Sequence, residues 1–291
     1  HVHSRNSTAV LMRDVCIALL PALVWAIIWF GWRCLRTTVF SAAACAALEW
    51  AYRRLRKKDC TAGDGSAVVT GVLRAFVCPA DIPYWMLFLG DAFAIVLVKQ
   101  LFGGIGMNIV NPVLAARAFL MFGWPTRMSG AVYALPDALS SATPMQALHA
   151  SGLPADVSLL DAFLGRIGGC IGEVSALMLL LGWAYLVVRR VITLRIPLAY
   201  LLTVAALAFV FPRGNDRLVW TAWQLCSGGL LLGAFFMATD YTTSPVTHSG
   251  QIAIGIGCGA VTVLIRYFGS YVEGVSFAIL VMNCCVGFFD K

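Results

Sequence analysis

The stretch DVCIALLPALVWAIIWFGW, residues 14–32, carries a single charged side chain, at its first position. A helix needs about 20 mostly apolar residues to cross the hydrocarbon core of a bilayer, so this stretch predicts a transmembrane helix. Nine similar runs follow, separated by polar breaks. They cover residues 37–51, 67–78, 83–101, 108–123, 167–188, 196–211, 219–238, 251–267 and 273–288. We therefore expect an all-α polytopic membrane protein with about ten crossings.

The composition excludes an ordinary soluble domain. Of the 291 residues, 60% are hydrophobic and 12% are charged, whereas soluble domains carry about 25% charged residues. The formal net charge of +7 does not indicate nucleic-acid binding, because the basic residues lie in the breaks between apolar runs instead of on one polar face. Membrane lipid is the expected surrounding of the chain.

The basic residues predict the orientation of the chain. The densest cluster, residues 53–58, follows the second run, and Arg189, Arg190 and Arg195 follow the sixth. Cytoplasmic connections are enriched in Lys and Arg, so both connections and, by parity, both termini are expected in the cytoplasm. The long polar connection at residues 124–166 is then outside. Four arginines on the outer side run against this rule: Arg33, Arg36, Arg213 and Arg217.

Five runs precede the long connection and five follow it. Because each group has an odd number of crossings, the second group starts on the opposite side of the membrane from the first. This inverted topology is typical of an inverted repeat. We therefore divide the chain into three parts. Residues 1–123 are the first five-helix repeat, residues 124–166 are the outer connection, and residues 167–291 are the second five-helix repeat.

Two features predict half-helices and broken helices at membrane depth. The third run, residues 67–78, is about 18 Å long at about 1.5 Å per residue, which is too short for a core of roughly 30 Å. Glycines at positions 103, 104 and 106 interrupt the chain before the fifth run. Irregular backbone is tolerated inside a membrane only where protein buries it or where it lines a cavity. Such places are candidates for cofactor and ion binding.

Cysteine and histidine positions do not indicate a metal centre or a haem. The ten cysteines are scattered, apart from Cys284 and Cys285, and form no Cys-x-x-Cys pair, so we expect small buried apolar residues. The four histidines lie at the N-terminus or in polar connections, where no pair could hold a haem from both sides. We predict no metal site and no catalytic residue.

The segment DALSSATP, residues 137–144, is the most informative polar motif. From the residues alone it is a helix start: Thr143 is a good N-cap, Pro144 suits the first helical position, and Gln146 closes a capping box. A phosphate ester on the Thr143 hydroxyl is compatible with this role, because free backbone N–H groups and the helix dipole favour negative charge there.

Stretches that occur in order along nearly the whole chain resemble the RnfD and NqrB family of membrane redox subunits. They are residues 12–15 with 18–23, 64–71, 98–104, 108–112 with 115–119, 137–143, and 236–240 with 243–247. In that family, Asp-x-x-Ser-x-Ala-Thr is the signature at which FMN is joined through its phosphate to the Thr hydroxyl. The resemblance therefore implies covalent FMN at Thr143, with Ser140 and Asp137 in the same cofactor-binding motif. Ser141 departs from the family pattern, which usually has Gly there.

The resemblance also implies an activity. The chain would be one membrane component of a bacterial inner-membrane translocase that couples electron transfer between ferredoxin and NAD to movement of Na⁺ or H⁺, with electrons passing through the flavin. Partner subunits would supply the iron–sulfur clusters, further flavin and the NAD and ferredoxin sites. Glycines 255, 257 and 259 lack the full dinucleotide-binding spacing and suit helix packing instead. A second, non-covalent flavin such as riboflavin is also implied.

Arg117 lies in the fifth apolar run, where a charge must be paired or face a polar cavity. One interpretation is a structural ion pair. The other, which the resemblance favours, is contact with a flavin, together with Asn108 and Asn111 at the start of the same helix.

Four acidic residues in or next to apolar runs are candidates for an ion path: Glu49, Asp91, Glu173 and Asp240. Each has a simpler explanation, which is to reach the membrane interface or to pair with Lys99 or Arg74. Glu173, four to seven residues into its expected helix, and Asp91 are the preferred candidates, followed by Asp240.

Two other classes of function share this architecture: a cofactor-free secondary transporter built on inverted repeats, and a membrane scaffold for redox subunits. Neither needs an outward-facing flavin acceptor, so the motif that ends at Thr143 separates both from a flavoprotein. Within the flavoprotein class, the NqrB component of Na⁺-pumping NADH:quinone reductases is the alternative to RnfD. The stretch at residues 243–247 and the compact length favour RnfD.

Overall fold

The structure, a computed structural model, describes residues 7–57, 62–128, 145, 148–149, 158–173, 175–214, 216–269 and 274–290. Each of the ten predicted apolar runs contains a helix. In chain order the helices are α1 (Thr8–Phe30), α2 (Arg33–Leu55), α3 (Ser66–Phe76), α4 (Tyr84–Ala92, continued by the π-helix Phe93–Gln100), α5 (Pro112–Gly123), α6 (Pro125–Met128), α7 (Leu159–Leu164), α8 (Ala176–Val188), α9 (Arg195–Val210), α10 (Arg217–Cys226), α11 (Leu230–Met237, π-helical over Gly233–Met237), α12 (His248–Phe268), α13 (Val275–Cys284) and α14 (Val286–Phe289).

Two of these helices, α1 and α12, are long and apolar enough to cross a membrane. The pair α10 and α11, bent by 60°, makes a third crossing if it is counted as one span. Several other apolar helices are 10–17 residues long. The prediction of an all-α membrane protein is therefore confirmed. Ten full-length crossings are not found within the described residues, because many helices are short or interrupted.

Helix α3 is the half-helix that the sequence predicts, with 11 residues ending at Phe76. Its last carbonyls would be unsatisfied inside a membrane unless other protein groups donated to them. A distant segment does so: the Gly172 amide donates to the Phe76 carbonyl at 2.9 Å, and the Ile171 amide donates to the Cys78 carbonyl at 3.0 Å. The second half of the chain thus supplies the hydrogen-bond donors for the carbonyls at the end of α3.

The sixth span begins later than predicted. Helix α8 starts at Ala176 with Ser175 as its N-cap, whereas the sequence places a helix from residue 167. Residues 167–173 are not helical, because their backbone is engaged with the end of α3. Glu173 therefore precedes the helix, and the prediction that it lies several residues inside one is wrong.

The eighth span, predicted as one helix over residues 219–238, is broken at residues 227–229. Gly228 and Gly229 have φ values of 70° and 66°, a left-handed conformation that glycine adopts without a steric penalty. The Arg266 guanidinium, from α12, stabilises the break by donating to three backbone carbonyls, those of Gln224, Ser227 and Gly228. The prediction of a continuous helix is therefore wrong at this point.

Small residues allow the closest helix contacts, as the sequence predicts for Gly255 and Gly259. A Cβ at Gly255 would lie 2.7 Å from the Cβ of Ala199 in α9, and a Cβ at Gly259 would lie 2.6 Å from the Cβ of Thr203. In a membrane, such close approach provides much of the packing energy. Gly182 likewise brings α8 against the backbone of α1. The two predicted groups of helices share one apolar core.

Candidate functional site

A cavity of about 350 Å³ lies between α1, α3, α8 and the segments that flank α5 and α11. Much of its wall is apolar, with Leu11, Met12 and Phe236 among the lining residues. Its polar lining side chains include Ser66, Lys99, Asn108, Asn111 and Asp240. Ligand sites typically have volumes of roughly 300–1,000 Å³, mostly apolar walls and a few polar groups. We refer to this end of the helix bundle as the cavity end.

Asn108 and Asn111, both predicted as cofactor contacts, line this cavity but differ in their bonding. Asn111 is the N-cap of α5: its side-chain oxygen accepts from the Val113 amide at 3.0 Å, and its nitrogen donates to the Met237 carbonyl at 3.3 Å. The Asn108 side-chain oxygen is buried without a hydrogen-bond partner among the described residues. A buried acceptor of this kind costs free energy until a ligand or water donates to it. Asn108 is therefore the better ligand contact of the two.

Lys99 provides the positive charge of the cavity wall. Its Nζ lies 2.8 Å from Oε2 of Glu49 in α2 and 2.6 Å from Oγ of Ser66 at the start of α3. Arg53, one turn further along α2, places its Nε 3.9 Å from Oε1 of Glu49. The side chains of Lys99 and Glu49 are 2% and 1% exposed. Glu49 thus forms the buried ion pair with Lys99 that the sequence offers as its simpler explanation.

Asp240, an ion-path candidate, lines the same cavity. Its carboxylate accepts from the hydroxyls of Thr242 at 2.9 Å and Thr243 at 3.3 Å. Burial raises the pKa of the Asp240 carboxyl above its ordinary value, and the hydrogen bonds from Thr242 and Thr243 oppose that rise. Asp240 therefore stabilises the turn after α11 while facing the cavity.

Asp91, a second ion-path candidate, lies away from the cavity between α2 and α4. Its Oδ1 accepts from the Ser41 hydroxyl at 2.9 Å. Arg74 of α3 is fully buried nearby and donates to Cys78 Sγ at 2.6 Å. The Arg74 guanidinium lies so close to Gly90 that a Cβ at Gly90 would collide with it. A buried carboxylate and a buried guanidinium thus share the interface of α2, α3 and α4.

Arg117 and Glu173, for which the sequence predicts different roles, form an ion pair. Their side chains are 3% and 6% exposed, and a further Arg117 N–H donates to Cys170 Sγ at 3.6 Å. The carboxylate also lies directly beneath Gly229 at the break between α10 and α11. The structural ion pair considered for Arg117 is therefore present, whereas its contact with a flavin stays a prediction.

The residues of the predicted FMN motif, Asp137, Ser140 and Thr143, lie outside the described residues. Met145 and Leu148, just beyond the motif, are buried in an apolar cluster with Trp220 and Trp223 of α10. Helix α12 begins near the cavity end, where Gln251 donates to the carbonyl of Pro245, three residues beyond the cavity-lining Thr242. It finishes beside this cluster, with Tyr267 packed against it. Met145 is thus anchored at the end of the bundle opposite the cavity.

A sequence profile of the NQR2, RnfD, RnfE family matches residues 1–291. The chain belongs to the NQR2, RnfD, RnfE family. It is 47% identical to the D subunit of the Na(+)-translocating ferredoxin:NAD(+) oxidoreductase complex of Acetobacterium woodii, over 100% of this chain and 91% of that protein. It is 37% identical to the D subunit of the proton-translocating ferredoxin:NAD(+) oxidoreductase complex of Clostridium ljungdahlii, over 100% of this chain and 92% of that protein.

A further relative matches less of the chain. The B subunit of the Na(+)-translocating NADH-quinone reductase of Klebsiella pneumoniae is 40% identical, but over 76% of this chain and 58% of its own length. The resemblance to RnfD that the motifs predict is therefore confirmed, and the D subunits are the better match by coverage.

The sequence does not indicate the positions of two residues, Lys99 and Arg266. It predicts Lys99 only as a partner for an acidic residue, not as part of a cavity wall, and it does not distinguish Arg266. Both residues could have been identified from the sequence, because each is a lone basic residue near the end of an apolar run, where a charge needs a partner.

Proposed function

We propose that this chain is the D subunit of an ion-translocating ferredoxin:NAD oxidoreductase complex in a bacterial inner membrane. The observation that carries the proposal is the match over the full chain and over 91% and 92% of two D subunits. In this assembly the chain is one part of a translocase, next to iron–sulfur and flavin subunits. The B subunit of an NADH-quinone reductase is the second candidate, which its 58% coverage makes weaker.

The distribution of basic residues supports a cytoplasmic cavity end. The end of α2 carries Arg53, Arg54 and Arg56, shortly after Glu49, which pairs with Lys99. At the same end of the bundle, Arg189 follows α8. Clustered Lys and Arg residues favour the cytoplasmic side. Both termini are then cytoplasmic, and the cluster that holds Met145 is on the outer face with the flavin motif.

Matched contacts support two inverted five-helix repeats. Lys99, at the end of the fourth helix, donates to Ser66 at the start of α3. Arg266, near the end of α12, donates to the Ser227 carbonyl just before α11. In each group of five helices, the fourth helix thus carries a cation that contacts the start of the short third element. That element is α3 in the first group and α11 in the second. The two contacts lie at opposite ends of the bundle, as inversion requires.

In our proposal the outer connection carries FMN, esterified through its phosphate to the Thr143 hydroxyl. The Asp137 to Thr143 motif supports this assignment, and Met145, two residues after Thr143 in the sequence, is buried with Trp220 and Trp223. FMN supplies one- and two-electron transfer between partner subunits. The chain itself holds the cofactor next to the aromatic cluster.

Replacing Thr143 with Ala is expected to abolish the flavin fluorescence of this protein on a denaturing gel, because alanine has no hydroxyl to esterify. Ser141→Ala removes a neighbouring hydroxyl and is the matched control, with fluorescence expected to be unchanged. Fluorescence that survives Thr143→Ala would place the attachment elsewhere. An unmodified Thr143 peptide in mass spectra of the native complex would contradict covalent FMN.

A second, non-covalent flavin occupies the cavity in this proposal. The residues present fit such a group: apolar walls suit an aromatic ring system, the Asn108 oxygen is an unmatched acceptor for a ring N–H, and Lys99 favours negative charge on the ligand. The cavity volume of about 350 Å³ is within the range of small-ligand sites.

Asn108→Leu is expected to reduce the flavin released by acid from the purified complex about tenfold, since a lost hydrogen bond in a buried site costs roughly 1–3 kcal/mol. The measurement is chromatography of the released flavin, with the covalent flavin on Thr143 as internal reference. Met107→Leu changes an exposed neighbour (66% exposed) and should retain the wild-type content. Full retention in Asn108→Leu would argue against flavin in this cavity.

A further inference from the structure

Two non-helical segments contribute polar groups to the wall of the cavity. The first precedes α5 and contributes Asn108, whose side-chain oxygen has no hydrogen-bond partner among the described residues. The second follows α11 and contributes Asp240. Helix geometry does not fix the separation of these two groups, so their separation depends on contacts that join the two segments.

The side chain of Asn283, in the last turn of α13, makes such a contact. Its Oδ1 accepts from the backbone amide of Asn111 at 3.1 Å, and its Nδ2 donates to the backbone carbonyl of Thr243 at 3.0 Å. Asn111 follows Asn108 by three positions, and Thr243 follows Asp240 by three. Asn283 is 6% exposed and is not among the cavity-lining residues. It therefore joins the two segments from behind the wall.

This bridge requires a carboxamide at position 283. An asparagine side chain offers an acceptor and a donor at the two ends of one planar group. Both of its partners here are backbone groups, so the bridge does not depend on the side chains at positions 111 and 243. An apolar side chain could make neither bond, and a serine hydroxyl, on a shorter stem, could not reach both partners.

Close packing holds α13 in place. A Cβ at Gly233 of α11 would collide with the side chain of Val275, and a Cβ at Gly257 of α12 would collide with that of Met282, the residue before Asn283. Side chains on tightly packed helices are positioned more precisely than side chains on loops. Asn283 thus ties two loop segments to a fixed helix.

Further hydrogen bonds order each segment. The Asn111 side-chain nitrogen donates to the Met237 carbonyl at 3.3 Å, which is a second and longer link between the first segment and the end of α11. In the second segment, the Ser244 hydroxyl donates to the carbonyls of Ala238 and Asp240 at 3.0 and 2.6 Å. Asn283 therefore connects two segments that are already locally ordered.

We propose that Asn283 is a positioning residue of the cavity: it sets the separation of Asn108 and Asp240 and so determines how long the cavity retains its ligand. This inference rests on the proposed flavin in the cavity. Asn283 does not touch the ligand and acts through the two segments that it joins.

The first test is amide hydrogen–deuterium exchange of the purified complex. Asn283→Leu removes both hydrogen bonds and keeps a side chain of similar size. Exchange should become faster in peptides 104–111 and 239–245, because local opening is easier when the hydrogen bonds that hold a segment are lost. Ser276→Ala removes a buried hydroxyl from the same helix, about two turns away, and should leave both peptides unchanged.

The second test is the release of the non-covalent flavin after dilution of the complex, followed as a rise in flavin fluorescence. Asn283→Leu should release it about tenfold faster than the wild type, because buried hydrogen bonds that hold the site are lost. Asn283→Gln keeps both polar groups on a longer stem and should be intermediate. Ser276→Ala should release flavin at the wild-type rate.

A double variant separates positioning from general stabilisation. Residues that act through one segment give combined effects smaller than the product of the single effects, whereas independent residues give the product. Asn108→Leu combined with Asn283→Leu should therefore speed release by clearly less than the product of the two single changes. A residue that only stabilised the fold would lower the unfolding temperature and multiply with Asn108→Leu.

Unchanged exchange in both peptides of Asn283→Leu would overturn this inference. So would a combined effect on release equal to the product, or wild-type release in Asn283→Leu when Asn108→Leu releases faster. Asn283→Ser is measured in the same way if the leucine variant does not assemble. Failure of the proposed flavin site would look different: both Asn108→Leu and Asn283→Leu would release flavin at the wild-type rate, although exchange in the two peptides still became faster.

Discussion

Replacing Arg117 with Met is expected to prevent this protein from accumulating in the assembled complex. The substitution leaves the Glu173 carboxylate, 6% exposed, as a buried charge without its closest cation. Removal of one partner of a buried ion pair costs about 3–5 kcal/mol, which is a large part of the roughly 5–15 kcal/mol that stabilises a folded protein. The measurement is the yield of intact complex and its thermal unfolding temperature in detergent.

The double variant Arg117→Met with Glu173→Met is expected to recover most of the yield, because two apolar side chains of similar length replace a buried pair. Arg127→Met, which removes an exposed arginine from α6, is the matched control. A double variant no better than Arg117→Met would show that the pair is not the source of the loss.

The recovered double variant also addresses the second role predicted for Glu173. If Glu173 belongs to the ion path, Glu173→Gln and the double variant should both keep the flavin proposed at Thr143 but fail to pump cations in proteoliposomes. Pumping at wild-type rates in either would remove Glu173 from the path and leave it as the structural partner of Arg117.

The second large effect is expected for Arg266→Met. The guanidinium donates to the Gln224 carbonyl at 2.6 Å and to the Ser227 carbonyl at 2.9 Å, and it is 2% exposed. These carbonyls lie where α10 ends, and no backbone amide further along the described part of the chain donates to them. Each hydrogen bond to a charged group contributes about 1.5–3 kcal/mol, so the loss should be at least about 3 kcal/mol. Thermal unfolding of the detergent-solubilised complex measures it.

Arg266→Lys should be intermediate, since an ammonium cannot reproduce the planar two-nitrogen fork. Arg213→Met is the matched control at the same end of the bundle. Arg213 donates to the Tyr267 carbonyl at 2.5 Å, but it is exposed, so water can replace the lost donor and the loss of stability should be about 1 kcal/mol or less. An unfolding temperature of Arg266→Met equal to that of the control would contradict a bridging role.

Both large effects concern one region of the bundle. Glu173 lies beneath Gly229, and Arg266 contacts the carbonyls just before that glycine. Met145, two residues after Thr143 in the sequence, packs against Gly228. The break between α10 and α11 therefore contacts both the Arg117 pair and Met145.

Part of the candidate site could be predicted from sequence. Asn108 and Asn111 stand beside a glycine-rich break, and their arrival at one cavity with Lys99 follows from the rule that irregular backbone lines cavities in membrane proteins. The sequence could not predict that Asn108 and Asn111 have different hydrogen-bonding roles. Asn111 serves as an N-cap and bonds to Met237, and that partner comes from a helix 126 residues away.

The lipid surroundings and the class of fold follow from the sequence alone, because a long apolar run has one low-energy form in lipid, a helix with its backbone bonds satisfied internally. The sequence also predicts the half-helix α3, since the length of a run is a local property. Which charges meet depends instead on tertiary contacts: Lys99 and Glu49 are 50 residues apart, and Arg117 and Glu173 are 56 apart. Tertiary contacts also determine where helices break, at residues 167–173 and 227–229. In both cases a buried charge or an open backbone carbonyl is stable only with a partner, and these partners come from helices distant in the chain.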